Sequence, residues 1–348
     1  MRTLVLTVFS VIILLSAFLI GRITNDQEAG SGDDNLALVN NSLINRFNKP
    51  EEKAAKPAGV FKITAEDGRW LKLAPTGREI SYYLPKTGQI RSVAIAPAGG
   101  QAETIAQLKP NLKKIFWSSN GKELIADDGA SLIHYNLPDG KSRVLNGKIR
   151  NPVFAPGESK IAYLFFDDTE GGGQIRVGSP TGEIFKNILS TRLDNWQITW
   201  VNDQILGLTA NGSFFTLDIN SGALQKILAD KTNLEILLSP DGRKLVFSSG
   251  AAPGAIFNFS DLAAGAEIKV AENYRANNCI WSVDNKNLYC LAGKTLSVID
   301  TGAALPALKT IYTDPTLVEA VEPRLNGAED YLVFRDSWLG RIFGLHLK

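Results

Sequence analysis

Histidine and cysteine are scarce in this 348-residue chain, which has two of each: His134, His346, Cys279 and Cys290. A structural zinc site takes four such ligands, so the supply all but excludes one. Nucleophilic catalysis by Ser or Cys needs a nearby base, usually a histidine. His134 alternates with Ile133 and Tyr135 on an expected strand and His346 is nearly terminal, so neither is read as catalytic. A G-x-S-x-G elbow is missing as well. The net charge is only +1, which gives no global pull toward nucleic acid. No cofactor is expected and no metal site is assigned.

Long apolar runs are confined to the N-terminus. Residues 4–20 are apolar apart from Thr7, Ser10 and Ser16, with Arg2 before them and Arg22 after. At about 1.5 Å per helical residue the run spans roughly 25 Å, the lower end for crossing a bilayer. A cleaved signal peptide is the rival reading. Ala17-Phe18-Leu19 has a bulky third position, however, and no lipid-attachment Cys follows. Residues 1–22 are therefore read as a transmembrane anchor, contacting the membrane through residues 4–20. The weak Lys/Arg balance favours a cytoplasmic N-terminus, with the rest outside or in the periplasm. Residues 23–58, rich in Asn, Gly, Asp, Lys and Pro, are read as a flexible linker.

The composition is 44% hydrophobic with 31 Gly, many of them in short turns between apolar runs. That pattern means β-hairpins. One hairpin recurs. It begins as Leu71-Lys72-Leu73-Ala74-Pro75-Thr76-Gly77 with Glu79–Tyr83, and returns at Ile115–Gly121, Val153–Gly157, Ile198–Asp203, Ile236–Gly242, Cys279–Asn285 and Pro323–Gly327. The spacing of about 35 to 46 residues is that of a four-stranded propeller blade. Third and fourth strands follow, as at Ser131–Leu137 and Ser142–Leu145. A single blade cannot keep both faces dry, whereas radial stacking covers them. The last unit stops after three strands, and Val60-Phe61-Lys62-Ile63 belongs to no unit. This segment is expected to supply the missing outer strand. The fold class is all-β: a seven-bladed β-propeller over 59–348, with six blades the alternative if the fourth or seventh unit is a false match.

The fifth unit, Leu238-Ser239-Pro240-Asp241-Gly242-Arg243-Lys244-Leu245-Val246-Phe247, resembles the repeat of the TolB-like propellers. Ile115–Lys122 and Ile280–Lys286 resemble its variant with a strand-end Trp. WD-repeat proteins are similar in architecture only. The resemblance runs from about residue 70 onward and implies the fold. Such repeats occur in scaffolds, in periplasmic binding partners and as lids of serine peptidases, and no room remains here for a hydrolase domain.

Candidate sites follow from this architecture. Segments entering each first strand crowd one face of a propeller. Here they carry Lys109, Asn111, Lys113, Lys148, Arg150, Asn151, Arg192, Asn195, Trp196, Lys231, Tyr274, Arg275 and Asn277. The set is basic and amide-rich and suits an anionic or peptide-like partner: a protein, a peptide or an envelope glycan. Trp117, Trp200 and Trp281 hold a place taken elsewhere by Leu73, Phe154 and Leu238, so they are read as core. The acidic run 167–173 lacks the ligand spacing of an EF-hand and is read as a solvated turn. Simple pairing across the sixth hairpin sets Cys279 and Cys290 nearly opposite as a candidate disulfide, with two buried free thiols the alternative if the turn carries a bulge that shifts the register. The expectation is a membrane-anchored, extracytoplasmic, non-catalytic binding module. The alternative is a propeller-type lyase, lactonase or glycosidase with a channel active site.

Overall fold

The computed structural model describes residues 59–347 apart from 98, 158, 252 and 304. The expected anchor and linker lie outside the described residues. Among those described, no helix is long and apolar enough to cross a membrane.

The described chain folds into seven antiparallel four-stranded sheets, the blades of a β-propeller. Numbered along the chain, their innermost strands are Arg69–Leu73, Lys114–Trp117, Ile149–Phe154, Gln197–Trp200, Glu235–Leu238, Cys279–Trp281 and Ala320–Leu325. The fourth and seventh units are both full blades, which removes the six-bladed alternative. In blades 1 to 6 the remaining strands follow outward in chain order. Blade 7 is completed by Val60–Thr64, which pairs antiparallel with Arg341–His346 through Val60↔Leu345, Phe61↔Gly344 and Lys62↔Phe343. The segment left over in the repeat is the strand that closes the ring.

Alternation along each second strand shows why the blades stack. In blade 2, Leu124 and Ala126 pack into the core shared with blade 1, while Ile125 packs with Ile149, Phe154 and Tyr163 of blade 3. In blade 7, Val333 joins the core toward blade 1, and Leu332 and Phe334 join the one toward blade 6. Both faces are apolar, and each meets a different neighbour. Burying a Leu-sized side chain contributes about 1.5–3 kcal/mol, so a lone sheet would forfeit half of this gain.

The first-hairpin turns use one device several times. Ser118, Ser239 and Ser282 each accept, at Oγ, the main-chain N–H five residues on, at 2.9 Å. Each donates that hydroxyl to Asn120, Asp241 or Asp284. Those side chains accept a further main-chain N–H from Lys122, Arg243 and Lys286. Short polar side chains thus satisfy the turn amides locally. The fourth unit lacks Pro and Gly here; Asn202 compensates by accepting the N–H groups of Gln204 and Ile205, both at 3.0 Å.

In blade 6, Cys279 and Cys290 are direct cross-strand partners, both buried and joined by a disulfide of 2.06 Å. The bond closes a loop of 11 positions. The chain-entropy model gives about 3 kcal/mol for a loop of that size. The double variant Cys279→Ala/Cys290→Ala is therefore expected to lose about that much in urea unfolding. An unchanged midpoint would show that the bond constrains nothing the β-ladder does not already hold.

Candidate functional site

Chain direction gives the ring two unlike ends. The loops entering each innermost strand and the turns between second and third strands share one end, the loop face. The first-hairpin turns occupy the other. All the site residues expected from sequence lie at or near the loop face, but they are not the free basic surface that their composition implies.

Carboxylates on the same face neutralise most of the cations. Lys109 is 2.7 Å from Asp128. That hydrogen bond, with the N–H groups of Ala130 and Ser131, holds the Asp128 carboxyl down at about 2 and raises the lysine. Lys148 binds Asp167, whose carboxyl is also held at about 2. Arg150 reaches both oxygens of Asp168, at 2.6 and 2.7 Å, and its guanidinium lies 5.0 Å from the Phe166 ring. The acidic run that opens at Asp167 is thus a turn whose first two carboxylates are occupied by Lys148 and Arg150. Lys231 meets Glu267 at 3.3 Å, and Arg275 binds Glu235. Among the described residues Lys113 and Arg192 are exposed and show no ion pair, and Asn277 is exposed.

Two expected contact residues are turned inward. Trp196 is only 4% exposed; its ring packs edge-on against Phe215, and its indole N–H donates to Thr191 at 2.8 Å. It belongs to the core between blades 3 and 4, which corrects its reading as a surface residue: an indole gains more from burial than from solvent when its N–H finds a partner. Tyr274 is half-buried against the blade 5–6 core, with its hydroxyl 3.0 Å from Ser297 Oγ. Trp117, Trp200 and Trp281 pack into inter-blade cores, as their repeat position implies.

Left-handed amides mark this face. Asn111, Asn151, Asn211, Asn233 and Asn273 all have φ between 47° and 62°, a region that Asn tolerates better than other non-Gly residues. Asn111 donates its N–H to the Pro85 carbonyl at 2.8 Å. Asn195 donates its side-chain amide to Asn211 at 2.8 Å. Two cavities adjoin there. One of about 550 Å³ is lined by Asn211, Asp230, Lys231 and Asn233. The other, of about 280 Å³, is lined by Asn233, Glu235, Ser248 and Arg275. A third, of about 290 Å³, lies between blades 2 and 3 beside Ser131, Asn146, Arg150 and Asn151. Sequence reasoning did not single out Asn211, Asp230, Glu235 or Ser248. Asn211-Gly212 has the residue types of a tight turn, but nothing local says that it borders a cavity.

Deeper in the ring, the innermost strands of blades 1, 3 and 7 are bulged, with Trp70, Asn151 and Glu322 at φ 52°, 47° and 56°. Each bulge passes a hydrogen bond to the next blade. The Trp70 carbonyl accepts from Trp117 Nε1 at 2.8 Å, the Asn151 amide donates to the Trp196 carbonyl at 2.7 Å, and Glu322 accepts the Leu71 N–H at 3.4 Å. Bulges of this kind re-aim backbone groups that a regular ladder would consume.

The chemistry available from these strands is limited. The innermost strands carry no histidine, and their two carboxylates, Glu235 and Glu322, are each bound by an arginine, Arg275 and Arg335. His134 is on a third strand in blade 2, buried, with its pKa lowered by desolvation despite Glu123 nearby. His346 is on a third strand in blade 7, its ring edge-on to Tyr331. Among the described residues no three His, Cys, Asp or Glu side chains converge as a metal site.

No protein-family model matches the chain, and no curated protein matches it in sequence. Solved structures do. An oligogalacturonate lyase in complex with manganese aligns at a TM-score of 0.60 and 12% identity, over 85% of this chain and 94% of that one. A chain of a mitotic checkpoint complex aligns at 0.60 and 13%, over 84% and 94%. The β-propeller domain of Cps50 (Swd1) from Myceliophteria thermophila aligns at 0.55 and 13%, over 83% and 100%. At such identities the likeness defines the fold, a β-propeller. An enzyme and a component of a multiprotein assembly both use it, so the fold does not choose the chemistry.

Proposed function

We propose that this chain is a membrane-anchored, extracytoplasmic β-propeller that binds a peptide-like or otherwise amide-bearing partner on its loop face without transforming it. The observation that carries the reading is the pair of adjoining cavities at blades 4 to 6, which share Asn233 and are rimmed by left-handed asparagines and ion-paired side chains. Amides both donate and accept, so they complement a peptide main chain or a glycan N-acetyl group. Internal neutralisation of Lys109, Lys148, Arg150, Lys231 and Arg275 favours that partner over a polyanion. Ion-paired carboxylates and the lack of an inner-strand histidine favour binding over catalysis. The apolar run 4–20 supports the anchor, and the Cys279–Cys290 bond suits an oxidising compartment.

Asn211→Gly/Asn233→Gly keeps the left-handed backbone while removing both amides. Proximity labelling from the full chain in its native membrane is expected to lose at least tenfold enrichment of its main partner in this variant. Lys141→Ala, on an outer strand, should leave the enrichment unchanged. Equal partner sets in the wild type and the double glycine variant would sink the loop-face reading. Carbonate extraction and protease accessibility test the anchor and its orientation separately.

A further inference from the structure

The larger of the two adjoining cavities has a locked frame. Two segments wall it: the turn Asn211-Gly212 after the second strand of blade 4, and residues 230–234, which lead into blade 5. They are joined through the main chain. The Lys231 N–H donates to the Gly212 carbonyl at 2.9 Å. A Cβ at position 212 would lie 2.4 Å from the Lys231 carbonyl oxygen, so only glycine lets the two backbones come this close. On its other side the entering loop is tied to blade 5, where the Gly250 N–H donates to the Thr232 carbonyl at 2.8 Å. Asn211, Asp230 and Asn233, at φ 48°, 54° and 48°, line the one opening of about 550 Å³ that this frame leaves.

The bonds already made decide what each side chain has left to offer. Asn211 accepts at Oδ1 from the Asn195 amide, at 2.8 Å, which leaves its own NH2 free to donate. Asn233 donates Nδ2 to the Gly250 carbonyl at 3.4 Å, which leaves its Oδ1 free to accept. Asp230 is exposed, and its carboxylate has no hydrogen bond or ion pair among the described residues. The lysine beside it does not compensate: Lys231 meets Glu267 at 3.3 Å and lies 5.4 Å from the centre of the Phe247 ring. The cation of the smaller cavity, Arg275, is bound by Glu235. The opening therefore offers a donor, an acceptor and one uncompensated negative charge.

We infer that this cavity receives a basic peptide: Asn211 and Asn233 bond the C=O and N–H of its main chain, and Asp230 takes a Lys or Arg side chain next to them. A main-chain amide needs one donor and one acceptor, and a cation supplies the charge-assisted hydrogen bond that the free carboxylate lacks. An N-acetylated glycan would satisfy the two asparagines and leave Asp230 without a partner. Holding the three groups on backbone-locked turns lowers the ordering cost of binding. The inference rests on the loop-face reading and narrows its partner to one class.

The probe is a displayed library of short random peptides, selected on the full chain in detergent. The wild type is expected to select peptides with Lys or Arg at one fixed position. The best of them should bind Asp230→Asn about fivefold more weakly, or about 1 kcal/mol, the upper value for an exposed ion pair. Asn adopts this backbone conformation as readily as Asp, so the variant loses charge and little else. Replacing the peptide's basic residue by Met should cost the wild type the same factor and Asp230→Asn nothing, the mark of direct contact. Asp230→Lys should select acidic residues at that position instead. Peptides selected without a basic position, or bound equally by Asp230→Asn, overturn the inference; the loop-face reading survives if Asn211→Gly/Asn233→Gly still loses them. Calorimetric binding of an N-acetylglucosamine trimer with no peptide selected makes the occupant a glycan and overturns the inference too. Binding of neither probe overturns the inference and the loop-face reading together.

Discussion

Replacing Ile63 by Asp is expected to open the ring. Ile63 is 3% exposed and sits in the seam between blades 7 and 1, among Leu71, Ile80, Tyr82, Val333 and Ile342. The substitution removes an aliphatic side chain, which alone costs about 2–5 kcal/mol. It also sets a carboxylate in an apolar seam, where it must protonate or pull the strand out. The combined loss is about 4 kcal/mol or more, a large share of the roughly 5–15 kcal/mol that holds a typical domain together. Urea unfolding should start earlier and less cooperatively, and limited proteolysis should cut first near residues 59–64. Lys62 is the control, because its side chain is exposed on the same strand. Lys62→Asp should shift stability by no more than about 0.5 kcal/mol. A wild-type midpoint for Ile63→Asp would mean that Val60–Thr64 does not close blade 7.

The second large effect is expected at Asp336, a fully buried carboxylate at the end of the second strand of blade 7. One oxygen accepts the N–H groups of Val318 and Glu319, at 2.7 and 3.2 Å. The other accepts those of Trp338 and Leu339, at 3.0 and 2.9 Å. It thereby ties the loop entering the blade to the turn that follows its second strand. Asp336→Ala would strand up to four amide donors and is expected to cost about 3–5 kcal/mol; Asp336→Asn should cost less, because its carbonyl oxygen still accepts. The pH dependence has a definite sign. Burial pushes this carboxyl up, but the four N–H donors outweigh it and hold the folded-state pKa below the ordinary value. A lowered carboxylate stabilises the fold fully above the unfolded-state pKa of about 4 and loses that contribution as pH falls through the folded-state value. The wild type should therefore show an acid-side loss of Tm that is shallower in Asp336→Asn. Parallel profiles for the two proteins would remove Asp336 from the account.

Ring architecture is legible in the sequence because its determinants are local. Ser239-Pro240-Asp241-Gly242 can only be a tight turn between apolar strands, and Val60–Ile63 stands out because no unit claims it. The sequence leaves the two Cys open between a disulfide and free thiols, because a bulge at the turn would shift the register; the ladder has no bulge there and Cys279 pairs directly with Cys290. The candidate site is less legible, because its chemistry depends on partners distant in the chain. Lys109 reads as a free cation until folding brings Asp128 to it, and Arg150 until Asp168 arrives. Trp196 reads as surface because its neighbours Arg192, Asp194 and Asn195 are polar, yet the chain turns its ring inward. Left-handed Trp70 and Glu322 run against the preferences of both residue types, so no propensity argument finds those bulges. Arg324 reaches the Leu71 carbonyl only when the first and last blades meet.

That meeting has a consequence for how the molecule is made. The ribosome delivers Val60–Thr64 before any other strand of the propeller, yet its partner strand, with Leu345, is the last of the propeller's strands to emerge. The earliest segment must wait, unpaired, through the synthesis of six complete sheets. Contacts this far apart in the chain form slowly, because the entropy of bringing them together is lost before any pairing rewards it. A nascent chain released before residue 345 would leave an orphan strand at one end and an unfinished sheet edge at the other, and both are templates for aggregation.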